Sequence, residues 1–399
     1  MISLESVKYS LKNMWMRKSR SFLTLVSIFI GITTIFIFVS FGWGLYDYID
    51  NMASSGSADK LTVQGKGMGG PGTSSVKLTD SDLNVIEKTK GIKEASGIYF
   101  KAVEVTQDRT RKYTYMIGMD PGSKMMDELI NVDIVEGRSL KKGDSNKVVV
   151  GYNYMSDNKI MPKRYRLGDK IEVNSNKYEI IGFYGSIGNP QDDSQIYITD
   201  KFFKEVFPDK TYDMILARAD IKDMTQTVDR AKKELRKFRN QKEGQEDFDV
   251  ASFQDQIRAF TSALNIVIGF VIMIALISVL VSAVNTANTM VTSVLERIKE
   301  IGIIKSIGAK NSEIFKIFLF ESGFLGFVAG VIGVILGWII TSAAGALLKS
   351  LGWGFLSPHV SWTIFIAAIS FAIVVGAIAG VAPAVNASKL KPVEALRYE

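Results

Sequence analysis

The chain has 399 residues, a formal charge of +7, one histidine and no cysteine. No disulfide framework or thiol metal site can form, and His359 belongs to no cluster suited to zinc or to histidine-based catalysis. The apolar residues gather into four blocks with basic flanks, so a membrane accounts for the positive charge and no nucleic acid is called for.

From the N-terminus, Leu4, Val7, Leu11, Met14 and Trp15 fall on one face, with Ser3 placed to cap. This predicts an amphipathic helix at the inner membrane interface over 1–20. The first block then runs uncharged from Ser21 to Tyr46. A bilayer core about 30 Å thick needs roughly 20 apolar residues in a helix, and this block offers about 26, or roughly 39 Å. It reads as a first span with the start of a stalk (21–46), and as an anchor, not a cleaved leader. Its apolar run exceeds the usual ~7–15 residues, and no A-x-A-like site follows promptly.

Residues 47–258 are charged and read as an α/β domain. Thr79–Ile92 predicts a helix capped by Thr79, with Asp80 and Asp82 in its first turn and Gly91 at its end. Short strand-like runs follow, including GIYFKAVEV, RKYTYMIGM, KVVVGYN, QIYIT and DMILARA. IEV and YEIIGF around NSNK predict a hairpin. Lys222–Arg239 predicts a charged surface helix. Gly65–Ser75 is glycine-rich but lacks the Gly-Lys-Ser/Thr ending of a phosphate loop, so a loop tip is expected. GNPQDDSQ (Gly188–Gln195) is expected to be a solvated turn, in preference to a calcium site.

The second block, Ala259–Leu295, is uncharged over about 37 residues, roughly 55 Å if helical, which exceeds the bilayer core by some 25 Å. The third runs from Ile317 to Leu348 with one charge, Glu321, and the fourth runs uncharged from Val360 to Ser388. The expected organisation is a stalk and second span over 259–293, a loop over 294–313, and a third span over 314–348. An outer loop over 349–361, a fourth span over 362–388 and a tail over 389–399 complete it. Gly326/Gly330, Gly333/Gly337 and Gly376/Gly380 are GxxxG pairs, expected to let helix backbones approach within the molecule. Glu321 is an acid inside a span and so a functional candidate; pairing with a lysine or capping a neighbour is favoured over a proton relay.

Basic residues cluster before the first block (Lys8, Lys12, Arg17, Lys18, Arg20), between the second and third (Arg297, Lys299, Lys305, Lys310, Lys316) and after the fourth (Lys389, Lys391, Arg397). Only Lys349 lies between the third and fourth. Both termini and the 294–313 loop are therefore expected inside, and 47–258 outside.

That loop, VLERIKEIGIIKSIGAKNSEIFKIF, has an apolar edge at Val294, Ile298 and Ile301 that can pack on the bundle. Glu296/Lys299 and Arg297/Glu300 are opposite-charge pairs three apart, each contributing only ~0.2–0.5 kcal/mol. Gly302 and Gly308 allow close approach or a sharp turn. Asn311 can cap the next helix, with Glu313 in its first turn. From the residues alone, a solvated loop and a charged face for a partner are equally open.

ERIKEIGIIKSIGAKNSEIFKIFLFES with the glycine-rich span behind it resembles the FtsX-like permease domain of ABC transporters, and most of all the MacB-like and lipoprotein-release permeases. LKNMWMRKSRSFLTLVSIFIGI resembles the family's N-terminal helix and first span. VVVGYNYM, LGDKIEV and YEIIGFYG resemble the MacB-like outer domain, and PAVNASKLKPVEALRYE the C-terminal signature. The likeness covers essentially the whole chain in order.

The resemblance implies a membrane α-helical fold: four transmembrane helices with a large extracytoplasmic α/β domain inserted between helices 1 and 2. One lobe of that domain combines residues near both ends, and the other is inserted at about 131–199. It also implies that Glu296, Arg297, Lys299, Glu300, Gly302, Lys305, Gly308, Ala309 and Lys310 form an element that docks an ATPase. No Gly-x-x-x-x-Gly-Lys-Ser/Thr occurs in this sequence, so the chain is expected not to be an enzyme, and ATP and Mg belong to an ATPase subunit dimer. A second permease chain (a homodimer), an extracytoplasmic adaptor or substrate carrier, and membrane lipid are the other implied partners. The expected function is to turn ATP hydrolysis into movement of the outer domain for export or extraction, at a prokaryotic cell membrane. The alternative is an FtsX-like signalling device that regulates an outer partner. An ATP-independent channel is disfavoured by the uncharged spans and the lack of paired broken helices.

Overall fold

The computed structural model describes residues 18–54, 57–67, 76–208 and 211–397. The expected interfacial helix over 1–20 lies outside them except for its last three residues, and so does most of Gly65–Ser75. The chain divides into two units. One comprises residues 1–45, 264–347 and 357–399, and the other residues 46–263 and 348–356.

The first helix, α1 (Lys18–Ser54), is unbroken over 37 residues, roughly 55 Å. The outer unit follows in the order β1 (Lys60–Gly65), α2 (Asp80–Glu87), β2 (Ile92–Gln107), β3 (Thr110–Met119), α3 (Met125–Ile130), β4 (Ile134–Gly137), β5 (Lys147–Val150), β6 (Lys170–Val173), β7 (Asn176–Tyr184), β8 (Ile196–Thr199), α4 (Asp200–Val206), β9 (Met214–Ala219), α5 (Met224–Phe238) and β10 (Phe248–Ser252). The strands run β10-β1-β9-β2-β3-β8-β5-β7-β4, with β6 paired to β2 and β7 off that path.

The 16-residue β2 joins the two halves of this sheet. Its start, Ile92–Ile98, pairs with β9, and its remainder, Tyr99–Gln107, pairs with β3. Residues from both ends of the segment (β1, β9, β10, α2 and α5) build one half, and the stretch 131–199 supplies β4 to β8 of the other. Strands β8 and β5 are buried almost throughout, as strands covered on both faces must be.

Local chemistry explains several elements. Thr79 and Asp82 form a reciprocal capping box at the start of α2, which satisfies two N–H groups the helix cannot pair itself. The Asp82 carboxylate also accepts from Arg239 at 2.9 and 2.8 Å. Burial opposes its charge, but the Arg239 and Thr79 hydrogen bonds hold its carboxyl below the usual value. The β6–β7 hairpin turns through Asn174 and Ser175, both left-handed at φ 48° and 66°, as a two-residue turn with the strand twist requires. The helix expected over Lys222–Arg239 is α5, and it is not merely a surface helix. Thr227, Ala231 and Leu235 are fully buried against the sheet.

GNPQDDSQ is likewise not a solvated turn. Asp193 is buried and accepts from the Ser186 hydroxyl at 2.7 Å and from the Ile187 and Gly188 N–H groups at 2.6 and 3.2 Å. Its oxygens organise the loop itself. Within the same unit, Phe355 donates its N–H to the Gly188 carbonyl at 3.0 Å, and the rings of Tyr48 and Phe355 lie 5.7 Å apart.

The membrane helices are α1, α6 (Phe253–Glu296), α8 (Asn311–Ser350) and α9 (Trp362–Lys389), with the short α7 (Ile298–Ser306) and α10 (Pro392–Arg397) at one end. Four membrane-spanning helices with a large extracytoplasmic α/β domain between the first two is the expected fold class, and the structure has it. Helix α6 starts directly after β10 and runs 44 residues, roughly 66 Å. Its first 11 residues cluster with the outer unit. Helix α8 has 40 residues, roughly 60 Å, and so exceeds the span expected over 314–348. Glu313 and Lys316 interrupt its apolar run without interrupting the helix.

Glycines on α8 face two helices. A Cβ on Gly326 would strike the Ala372 carbonyl oxygen of α9, and one on Gly376 would come within 2.6 Å of the Ser322 carbonyl oxygen. Gly330 lies against Ala372, and Gly380 against Ser322. One helical stretch further along, Gly333 and Gly337 abut Phe29, Ile32 and Phe36 of α1. The Thr33 hydroxyl donates to the Gly333 carbonyl at 2.9 Å. Helix α6 docks through Ser282, whose hydroxyl donates to the Ser27 carbonyl at 2.8 Å.

Candidate coupling site

Helix α6 ends at Glu296, and α7 begins after Arg297, whose backbone is non-helical (φ −111°, ψ 17°). Val294, Ile301, Ile314, Phe318, Ala384 and Ala387 bury one another, so α7 is seated on the ends of α6, α8 and α9. Gly308 stops α7. It is left-handed at φ 110°, and the N–H groups of Gly308 and Ala309 bond the carbonyls of Lys305 and Ile304. This is the glycine-based helix ending that tolerates few other residues. Glu313 then accepts the Lys310 N–H at 3.0 Å, so it is Glu313, not Asn311, that closes the start of α8.

The expected docking residues part into two groups. Glu296, Lys299, Glu300, Gly308 and Lys310 are exposed. Arg297, Gly302 and Lys305 are not on that face, and Ala309 is half-buried against the apolar cluster. Arg297 does not join the outward charges as expected. It is buried, and its guanidinium meets Glu321 at 3.3 Å, with side-chain exposures of 7 and 5%. The reason is periodicity: Val294, Arg297, Ile298 and Ile301 share one face. Arg297 is thus one partner of Glu321. Lys305 turns back to donate to the Ser388 and Leu390 carbonyls at 2.9 and 2.5 Å, where the C-terminus of α9 carries excess negative potential.

Sequence reasoning missed the apolar part of the exposed face. Ile303 and Ile304 are exposed, and Ile307 is 82% exposed, between Glu300 and Lys310. The available signal was that these isoleucines fall off the Val294–Ile298–Ile301 stripe. An exposed apolar tip ringed by charges, on a base held by packing and two cations, is suited to a protein partner. Among the described residues no group of acidic or histidine side chains could hold a metal.

Residues 21–237 match the MacB-like periplasmic core domain, and residues 257–392 match the FtsX-like permease C-terminal domain. The chain belongs to the FtsX/MacB-like family of ABC transporter permeases. It is 29% identical over 395 residues to an uncharacterized ABC transporter permease of Methanocaldococcus jannaschii, covering 98% of each chain. It is 26% identical to the uncharacterized ABC transporter permease YknZ of Bacillus subtilis over 99% of each. The macrolide export ATP-binding/permease protein MacB of Bdellovibrio bacteriovorus is 25% identical, over 99% of this chain but 62% of that protein. Among solved structures, the periplasmic region of MacB from Actinobacillus actinomycetemcomitans aligns with 54% of this chain and 98% of its own at a TM-score of 0.43 and 15% identity. Neither matched domain is an ATPase, so this FtsX/MacB-like chain is the permease component and carries no Walker A site. Its role is that of the family, the transmission of motion through a multi-pass membrane protein.

Proposed function

We propose that this permease docks a separate ATPase dimer through the tip of α7 and carries the resulting movement along α1 and α6 to the outer domain, to export or extract a substrate handled outside the membrane. The observation that carries this reading is the exposed Ile307, flanked by Glu300 and Lys310, on a helix clamped at its base. Both termini and the tip then lie on the cytoplasmic side of a prokaryotic cell membrane, a placement supported by the basic residues that flank the spans. ATP and Mg are bound by the ATPase. A second copy of this chain completes the membrane part, and an adaptor or substrate carrier engages the outer domain. With the spans almost uncharged, a hydrophilic path through them is unsupported, so the long helices act as stiff rods.

The test is reconstitution of the chain in nanodiscs with a separately produced ABC ATPase subunit that it stimulates. Ile307→Glu and Glu300→Lys are exposed changes that leave the fold intact, and each is expected to cut permease-stimulated ATP hydrolysis at least tenfold. Wild-type stimulation in both variants would refute docking at this tip.

A further inference from the structure

Nothing local ends α6. From Val291 to Ile301 there is no proline or glycine, and Leu295, Glu296, Arg297 and Lys299 are all good helix formers. The apolar stripe does not require a bend either, because Val294, Ile298 and Ile301 share a face of a straight helix as readily as of a broken one. Yet the helix breaks at Arg297, whose N–H bonds the Val294 carbonyl at 3.2 Å in a tighter turn. What the stripe contains, against its own pattern, is a charge. A guanidinium on a buried face must meet an anion. Glu321 provides it at 3.3 Å, from α8, and it is the one acid between Ile317 and Leu348.

We propose that the buried Arg297–Glu321 pair is what ends α6 and aims α7, making these two residues positioning residues for the tip at Ile307. Buried ion pairs stabilise poorly beside apolar replacements, and their best-attested use is to select one arrangement over others. Here the selected arrangement holds α7 at both ends: Arg297 ties its start to α8, and Lys305 ties its end to the Ser388 and Leu390 carbonyls after α9. Without the first tie, only the apolar cluster and Lys305 hold α7, and α6 and α7 can join into one helix that moves Ile307. The importance of that direction for ATPase coupling rests on the function proposed above; the cause of the bend does not.

The absence of cysteine makes spin labelling clean. Labels at Val291→Cys on α6 and Ile307→Cys beyond α7, in the full chain diluted with unlabelled copies, report the bend as an intrachain distance. One straight helix would separate these positions by about 24 Å. Arg297→Gln and Glu321→Gln are each expected to broaden the distribution and move it toward that value, and the exchanged pair Arg297→Glu with Glu321→Arg to restore the wild-type peak. If single variants do not fold, Arg297→Met with Glu321→Leu removes both charges of the pair and reads the same distance. An unchanged distribution in the variants that fold overturns the proposal. Stimulated ATP hydrolysis, measured on unlabelled protein, separates the two ideas. A moved distance with lost stimulation supports both, whereas a moved distance with full stimulation supports the bend and refutes only docking at the tip.

Discussion

At the scale of single residues, several buried or half-buried charges among the described residues hold backbone or another charge. In the outer domain the Arg138 guanidinium donates to both Asp144 oxygens at 2.7 and 2.9 Å. That hydrogen bonding, with the Lys141 N–H added, holds the Asp144 carboxyl down at about 2. Because the folded value lies below that of the unfolded chain, about 3.9, the pair contributes fully above pH ~4 and its contribution is lost as pH falls toward 2. Asp144→Asn should therefore lower outer-domain stability at pH 7 by about 1–2 kcal/mol, discounted for the partly exposed Arg138. It should also flatten the acid limb of a denaturation series between pH 4 and 2; an unchanged limb would refute it. Thr79→Ala removes a capping side chain and should cost about 1 kcal/mol in the same assay.

At the scale of elements, the glycines sort into those that touch and those that do not. A Cβ at Gly326 meets the backbone of α9, which cannot give way, whereas one at Gly323 meets only the Ala377 methyl at an ordinary 3.8 Å. Gly326→Leu should therefore push α8 and α9 apart, at a cost of at least the ~1–3 kcal/mol of overpacking. Gly323→Ala should be neutral or better, since alanine favours helix. Thermal unfolding of both variants in the same detergent checks this, and equal melting would count against the close approach of α8 and α9. The GxxxG spacing identified these glycines, but not that Gly326 and Gly330 face α9 while Gly333 and Gly337 face α1.

At the scale of the whole molecule, the helices are longer than a membrane requires, and α6 is the least covered of the four spans by its own chain. Met273, Ile277 and Val281 are exposed on it, and lipid or a second copy must cover them. If the second copy packs there, Ile277→Cys in this cysteine-free chain should give an oxidised dimer in membranes, while Ile366→Cys, exposed on α9, should not. Equal cross-linking from both sites would remove α6 as the seam. Reporter fusions at either terminus test the cytoplasmic placement.

The spans, their order, the capped helix at Thr79 and the hairpin at Asn174 were legible in the sequence, because each rests on a local period, a cap or a turn residue; the segment expected as a loop over 294–313 is instead mostly helix, with α7 over Ile298–Ser306. The sequence also showed that Glu321 is an acid in an apolar run, since composition alone reveals that. Only the tertiary structure decided that Arg297 reaches it, that Lys305 faces inward, and that Asp193 is spent on its own loop. The first two are pairings between residues distant along the chain, and no local period records which oxygen a buried cation will reach; the third is a loop fold within a few residues that has no period at all. The face that remains at the α7 tip, Ile303 and Ile307 among Glu300 and Lys310, is what is left once those inward pairings are made.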